Sequence, residues 1–163
     1  MAKVIYKFGN DISTDLIYPG RFMATVLPSE TPQYAFADNK DLNKMLVNKE
    51  VPEGSIIIAG KNFGTGSSRE QAASTLKGYE LVIIAKSFAR IFYQNSVNLG
   101  LRIIICPDCE ADKGDDIVIT GNKVINTTKD MEFDIIPHSK TRQEIIDAGG
   151  LIVYTRKRLL NKK

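Results

Sequence analysis

Short runs of branched apolar residues recur along the 163-residue chain and alternate with segments of helical periodicity. Three runs, at 55–59, 81–85 and 102–105, are almost continuously apolar. Such runs are typical of strands that are buried on both faces of a sheet. Helices are predicted between them at 67–77 and 87–96. The order strand–helix–strand–helix–strand predicts parallel strands joined by helical crossovers.

The remainder of the chain shows a second pattern. A fourth strand is predicted at 116–120, and it is followed by Gly121-Asn122, which is a hairpin signal. Antiparallel strands are therefore expected from about residue 112 onward. A third helix is expected at 141–148, ending at Gly149-Gly150. Together these patterns predict a mixed α/β domain.

A proline-containing stretch lies between residues 19 and 52 and has no strong strand pattern. A short helix is predicted within it at 38–47. The part at 19–37 is interpreted as a mobile lid, with an ordinary surface excursion as the alternative.

Composition narrows the class of protein. The chain is 43% hydrophobic and 25% charged, which suits one globular domain with its own core. A net charge of +3 is too mild to indicate nucleic-acid binding. No run approaches the roughly 20 apolar residues of a membrane span, and the first residues show no signal-peptide pattern. A cytoplasmic protein is expected. The basic residues at 156–158 and 162–163 are interpreted as a solvated helix end or frayed tail.

The stretch at 60–70, GKNFGTGSSRE, carries the clearest chemical signal. It leaves a predicted buried strand, contains three glycines and enters a predicted helix, whose first N–H groups and dipole favour an anion. Two hydroxyls, Ser67 and Ser68, and the guanidinium of Arg69 follow directly. Arginine can hold a carboxylate or phosphate through two hydrogen bonds. Glu70 stands three residues after Ser67, so a capping box is predicted there.

Other motifs fit this segment poorly. A phosphate-binding loop of NTPases requires Lys where Gly66 stands, and a dinucleotide fingerprint requires Gly where Arg69 stands. Ser67 lacks the G-x-S-x-G spacing of a hydrolase elbow. A helix cap with a turn and no ligand is the structural alternative.

Cys106-Pro107-Asp108-Cys109 is a second candidate segment. The pair could close a disulfide or contribute to a zinc site, but zinc needs about four ligands and His138 is the only histidine. A buried, inert pair is the simpler interpretation, and His138 is interpreted as structural or at the surface.

Four segments, in chain order, resemble motifs of the aconitase superfamily. They are 11–19, DISTDLIYP; 62–70, NFGTGSSRE; 86–95, KSFARIFYQN; and 98–101, NLGL. The resemblance extends from about Val4 to Tyr154. The chain length is similar to that of the stand-alone small subunits that act, with a large subunit, on 3-isopropylmalate or homoaconitate.

The resemblance implies a single swivelling β/β/α domain of the aconitase type over 1–163, with a mixed sheet and flanking helices. It also implies a hydro-lyase subunit that dehydrates a hydroxy-di- or tricarboxylic acid and is inactive alone. The partner would be a large subunit with the [4Fe–4S] cluster, because the family's three cluster-binding cysteines belong to that subunit. No metal or cofactor is therefore expected in this chain, and neither nucleic acid nor a membrane is expected as a partner.

By motif position, Ser67 resembles the family's catalytic base, which removes a proton beside a substrate carboxylate. Arg69 resembles a ligand of that carboxylate, and Ser68 contributes to the same pocket. Thr14 and Asp15 come from the first motif and are expected at the substrate site, although Asp15 could equally be a cap or turn residue. Because serine is a weak base in water, this role requires a fixed positive environment.

The residues after the first motif resemble the family's specificity loop: Arg21, Phe22, Met23, Ala24 and Thr25. Members that act on homologues of citrate place an arginine where Ala24 stands here. An apolar loop favours an alkyl substituent over an extra carboxylate, so an alkyl-substituted malate is expected, 3-isopropylmalate first. Methyl- or dimethyl-substituted malates and homoaconitate are the alternatives. A non-catalytic, carboxylate- or phosphate-binding regulatory module is the alternative of another class.

Overall fold

The computed structural model describes residues 1–161, so the predicted tail residues Lys162-Lys163 lie outside the described part. Within it the strands are β1 (Ala2–Lys7), β2 (Ile56–Ala59), β3 (Val82–Ala85), β4 (Arg102–Ile105), β5 (Asp116–Thr120), β6 (Lys123–Asn126) and β7 (Met131–Asp134). The α-helices are α1 (Thr14–Ile17), α2 (Lys40–Val47), α3 (Glu70–Lys77), α4 (Arg90–Leu99), α5 (Lys140–Asp147) and α6 (Leu151–Leu160). Two 3-10 helices follow α1, at Gly20–Phe22 and Thr31–Tyr34.

The strands form a mixed sheet in the order β4-β3-β2-β1-β5-β6-β7. Strands β1 to β4 pair in parallel, whereas β1 pairs antiparallel with β5, and β5, β6 and β7 form antiparallel hairpins. Thr120 pairs with Lys123, so Gly121-Asn122 is the hairpin turn that the sequence predicts. The parallel and antiparallel parts of the sheet are therefore both confirmed.

Strands β2 and β3 are apolar throughout because both of their faces are buried. On one face, Ile57 of β2 belongs to the cluster that includes Phe92 of α4. On the other face, Ile56 belongs to the cluster that includes Ile117 and Val124 of the antiparallel strands. Full burial of one such side chain stabilises the fold by about 1.5–3 kcal/mol. Helices thus cover one face of the parallel strands, and the antiparallel part of the sheet packs against the other.

Strand β1 is absent from the sequence prediction, although it lies in the middle of the sheet. Two exposed lysines, Lys3 and Lys7, interrupt the apolar pattern of this segment. Lys3 pairs with Asp116 of β5, and Lys7 pairs with Asp112 just before it. The two lysines reach charged partners at the rim of the sheet, which a pattern of apolar residues does not reveal.

The predicted capping box at Ser67 is wrong. Helix α3 begins at Glu70, Arg69 occupies the N-cap position, and that N-cap makes no side-chain hydrogen bond. The Ser67 carbonyl accepts the Arg69 N–H at 2.9 Å, which keeps 67–69 outside the helix. Similarly, the helix expected at 87–96 is displaced to α4, because the Ser87 hydroxyl accepts the N–H of Asn62 at 2.8 Å instead of capping.

The C-terminal region ends in two helices. Helix α5 matches the prediction and stops before Gly149-Gly150. Helix α6 follows directly and contains the basic residues 156–158, so the solvated-helix interpretation of those residues is confirmed. No helix in residues 1–161 is long and apolar enough to cross a membrane.

Gly100→Ala tests the packing at the end of α4. Gly100 has a φ of +71°, and an added Cβ would lie 2.4 Å from the carbonyl carbon of Gly149. Left-handed strain and overpacking should together lower the free energy of unfolding by about 2–5 kcal/mol. Gly149→Ala is the matched control, because φ is +89° there and the Cβ would meet open space. It should cost only the strain, about 1–2 kcal/mol. Urea unfolding measures both, and equal losses would contradict the close approach at Gly100.

Candidate active site

Two backbone segments pair beyond the carboxyl ends of the parallel strands and form the floor of the site. The first precedes and enters α1, and the second connects β2 to α3. The Thr14 N–H donates to the Thr65 carbonyl at 2.7 Å, and the Gly64 N–H donates to the Ile12 carbonyl at 2.7 Å. A short parallel bridge joins Ser13 to Thr65. The pairing brings the first and second predicted motifs together.

This pairing requires glycine at position 64. Gly64 has a φ of +83°, and a Cβ there would lie 2.2 Å from Cγ of Phe92, a buried side chain of α4. A substituted residue could not approach the helix so closely. Gly66 also adopts a left-handed φ, +103°, two residues later. The two glycines let the chain turn from β2 toward Ser67 while it stays packed against α4.

Ser67 lies next to Thr14. The Thr14 hydroxyl is 3.1 Å from the Ser67 carbonyl and 3.3 Å from the Ser67 hydroxyl. Because the carbonyl takes the Thr14 proton, the Ser67 hydroxyl can donate to Thr14 Oγ1. Thr14 is 2% exposed, whereas Ser67 and Ser68 are exposed. The buried threonine thus orients the hydroxyl of an exposed serine.

Arg69 is held by acceptors from the first motif. Its Nη1 donates to Asp15 Oδ1 at 2.5 Å and to the Tyr18 carbonyl at 3.1 Å. The Arg69 side chain is 19% exposed and that of Asp15 is 64% exposed. Nη2 has no hydrogen-bond acceptor within the described residues, so its hydrogens remain available to a ligand.

The Asp15 carboxylate also binds the start of the following loop. Its Oδ1 accepts the Gly20 N–H at 2.9 Å. Hydrogen bonds from Arg69 and then from Gly20 hold the pKa of Asp15 below its usual range. Gly20 itself allows the close approach, because a Cβ there would lie 3.1 Å from Arg69 Nη2. Asp15 is therefore the link between Arg69 and the predicted specificity loop.

The loop residues have different surroundings. Arg21 pairs with Asp38 through two hydrogen bonds, of 2.6 and 3.1 Å, and so is already occupied. Phe22 stacks on Tyr34 with ring centroids 4.1 Å apart. Met23 and Ala24 are exposed, and Thr25 is half-buried. The mobility expected of segment 19–37 stays a prediction.

Sequence reasoning missed two residues that shape this region. Tyr18 is fully buried, and its hydroxyl donates to the carbonyls of Phe22 and Thr25 at 3.1 and 3.3 Å. Asp38 neutralises Arg21 from outside both motifs. Tyr18 lies at a variable position inside the first motif, and nothing in the local pattern links residue 38 to the loop. Only the folded chain shows both contacts.

His138 does not belong to the site. Its Nε2 donates to the Ile103 carbonyl at 2.8 Å, so in the neutral ring its Nδ1 accepts the Tyr93 hydroxyl at 2.6 Å. Both ring nitrogens are therefore occupied, which supports the structural interpretation. Among residues 1–161 no group of three or more His, Cys, Asp or Glu side chains is placed to hold a metal ion.

Comparison with known proteins identifies the class to which this fold and site belong. The family model of the aconitase C-terminal domain matches residues 12–107, which include both motifs of the site. The chain therefore belongs to the aconitase C-terminal domain family, which confirms the predicted fold class.

The relatives are more specific. The chain is 41% identical over 156 residues to the 3-isopropylmalate dehydratase small subunit of Methanosarcina mazei, covering 93% of this chain and 94% of that one. It is 39% identical over 163 residues to the Aquifex aeolicus small subunit of the same name, covering 97% and 95%. The crystal structure of 3-isopropylmalate dehydratase from Methanocaldococcus jannaschii superimposes with a TM-score of 0.88 at 38% identity, covering 98% of this chain and 95% of that one.

The ion pair between Asp15 and Arg69 can be tested by titration. In the folded chain the pKa of Asp15 lies below the unfolded value of about 3.9, so the pairing with Arg69 stabilises the fold above that pH and is lost as pH falls through the folded pKa. Arg69→Met should raise the Asp15 midpoint toward 3.9 in a carboxyl-carbon NMR titration. Arg21→Met is the matched control, because it should raise the lowered pKa of Asp38 and barely affect Asp15. The reverse pattern would contradict the pairing described above.

Proposed function

We propose that this chain is the small subunit of a hydro-lyase of the 3-isopropylmalate dehydratase type. The enzyme would act in the cytoplasm and catalyse a step of leucine biosynthesis. The observation that carries the proposal is the pairing of the two motifs, which sets Ser67 against Thr14 and Arg69 against Asp15. The named relatives support the same reading over almost the whole chain.

Ser67 is the proposed base. Ser67 is exposed, and the Thr14 hydroxyl can turn to donate to the Ser67 oxygen as negative charge develops. Arg69 adds a fixed positive charge two residues away, which stabilises both the alkoxide and a developing carbanion. Ser68 is exposed beside it and would contribute to the same pocket. Proton removal by a serine depends on such an environment.

Arg69 is the proposed ligand of a substrate carboxylate, through the edge that the chain leaves free. Asp15 then has a different role from the substrate contact that its motif implies. A carboxylate 2.5 Å from Nη1 would repel a substrate carboxylate, so Asp15 positions Arg69 rather than binding substrate. The Tyr18 carbonyl assists by accepting from the same Nη1.

The large subunit completes the site. The family places its cluster cysteines there, and this chain has two cysteines, both distant in sequence from the site residues. When bound in that subunit, the cluster supplies a Lewis acid for the leaving hydroxyl. This chain supplies the base, the carboxylate ligand and the loop that contacts the variable part of the substrate.

The loop favours an alkyl-substituted malate. Arg21 is neutralised by Asp38, so it is not free to bind a third carboxylate. Met23 and Ala24 present apolar surface, which accepts an isopropyl group and leaves an extra carboxylate unpaired. Methylated malates and homoaconitate are less favoured, and so is a regulatory module without catalysis, because the named relatives are dehydratase subunits.

Reconstitution tests the proposed function. The purified chain should show no hydro-lyase activity, and anaerobic mixing with the large subunit and iron should restore turnover of 3-isopropylmalate. Spectrophotometric assay of the unsaturated intermediate measures both. Turnover by the chain alone, or none by the mixture while a relative's small subunit restores activity, would overturn the proposal.

Two substitutions separate the roles of Ser67 and Arg69 in the reconstituted enzyme. Ser67→Ala should lower kcat by about 10²–10⁴ with little change in KM, the usual scale for loss of a general base. Arg69→Lys keeps the charge but loses the fork, so KM should rise roughly 10–100-fold. Ser139→Ala, a serine before α5 without a capping hydrogen bond, is the control and should change neither. A near-normal kcat for Ser67→Ala would place the base elsewhere.

Substrate preference tests the loop. The wild-type enzyme should have a higher kcat/KM for 3-isopropylmalate than for methylated malates, citrate or homocitrate. Ala24→Arg should raise relative activity on homocitrate because it supplies a partner for the third carboxylate. Ala24→Leu is the apolar control and should not do so. A wild-type preference for either tricarboxylate would show that the loop has another role.

A further inference from the structure

A cleft of about 430 Å³ lies on the side of the sheet away from the active-site helices, at the carboxyl ends of β1, β2 and β3. Lys7 is the last residue of β1, and Gly60 and Lys86 directly follow β2 and β3. All three residues line the cleft. Cys109 lines the same cleft and is 6% exposed, whereas its neighbour Cys106 is fully buried. The cleft thus borders one of the two free cysteines.

A tight turn holds the two cysteines together. The Cys109 N–H donates to the Cys106 carbonyl at 3.2 Å, which closes a four-residue turn over 106–109. Such a turn keeps the first and last Cα atoms within about 7 Å. Disulfides span Cα–Cα distances of about 4.4–6.8 Å, so the turn brings the two cysteines close to the range that a disulfide spans.

The surroundings make the two sulfurs unequal. The neighbouring Cys106 thiol, and then the Lys86 and Lys7 cations, lower the pKa of the Cys109 thiol, although burial opposes this. Hydrogen bonding to Cys109 and burial raise the pKa of Cys106. The Cys106 thiol donates to the Asp134 carbonyl at 3.3 Å.

Among the lysines that line the cleft in the described part of the chain, Lys86 is the one without a carboxylate partner. Asp112 pairs with both Lys7 and Lys129. Glu110 lines the cleft, and Asp108 lies within the turn; both oppose ionisation of the pair. Lys86 is half-buried and has no carboxylate within 4 Å among the described residues.

We propose that Cys109 and Cys106 form a reversible thiol–disulfide site, in which Cys109 reacts with a hydroperoxide through the cleft and Cys106 then closes an intrachain disulfide. The Cys109 thiolate attacks one peroxide oxygen, the O–O bond breaks, and hydroxide or alkoxide leaves, giving a sulfenic acid. The Cys106 sulfur attacks that sulfur, its proton goes to the departing hydroxyl, and water leaves. A dithiol reductant then breaks the Cys106–Cys109 disulfide by thiol–disulfide exchange and restores both thiols.

Burial of Cys106 accounts for the expected product. Because Cys106 is inaccessible from solvent, an external thiol or a second chain cannot reach it. A sulfenic acid at Cys109 has the Cys106 thiol as its neighbour in the same turn. This site needs neither the active-site residues nor the large subunit, so its failure and the failure of the proposed function are separable.

Mass spectrometry tests the product directly. The purified chain is treated with equimolar hydrogen peroxide, unfolded, and alkylated with N-ethylmaleimide. The oxidised chain should be lighter by two hydrogens and carry no label, and dithiothreitol should restore both labels. A chain that keeps both labels, or forms only disulfide-linked dimers, would overturn the proposal.

Variants assign the two roles. In Cys106→Ser, peroxide should leave Cys109 as a sulfenic acid that dimedone traps. In Cys109→Ser, Cys106 should stay reduced, because it has no access. Equal oxidation of the remaining cysteine in both variants would contradict the assignment. The wild-type mass measurement stands even if one variant fails to fold.

Lys86→Met tests the source of reactivity. Removing this cation should lower the iodoacetamide alkylation rate of Cys109 at pH 7 roughly 3–10-fold and move the pH–rate midpoint upward, since one pKa unit changes the thiolate fraction about tenfold. Lys40→Met removes an exposed lysine at the start of α2 and is the matched control. An unchanged midpoint in Lys86→Met would contradict the role of the cleft.

Discussion

The backbone pairing of residues 12–14 with 64–65 is the constraint on which the rest of the site depends. Two hydrogen bonds of 2.7 Å hold it, and it exists only because Gly64 has no side chain to meet Phe92. Both segments leave or approach the carboxyl ends of parallel strands, where such loops converge. Once they are paired, the hydroxyls of Thr14 and Ser67 come into contact.

The pairing also explains the electrostatics. A guanidinium facing an open surface would sample many conformations, but the Asp15 carboxylate and the Tyr18 carbonyl both accept from one nitrogen of Arg69. That contact lowers the pKa of the Asp15 carboxyl, so the ion pair persists to a lower pH than it would for an unperturbed carboxyl. One edge of the cation is thereby fixed and the other remains free. The same carboxylate accepts the Gly20 N–H, so the residue that positions Arg69 also holds the start of the predicted specificity loop.

The candidate active site and the cysteine cleft lie at the same ends of the parallel strands, on opposite faces of the sheet. Helices cover one face, and the site with Ser67 lies where they begin. The antiparallel strands pack against the other face, and there the chain after β4 turns back and buries two thiols beside a lysine-lined cleft. The segment that leaves β2 borders both regions, because Gly60 lines the cleft and Ser67 follows seven residues later. A single strand end thus contributes to both.

The sequence by itself determined the mixed α/β class, the buried parallel strands and the two motifs, because these depend on local periodicity and on glycines next to polar residues. It did not reveal β1, whose lysines find distant acids, or the N-cap at Arg69, where the expected Ser67 hydroxyl is directed to Thr14 instead. Tertiary structure alone decided that Asp15 contacts Arg69 and that Asp38 neutralises Arg21. Such contacts join residues far apart in the chain, and their geometry exists only after the backbone has folded.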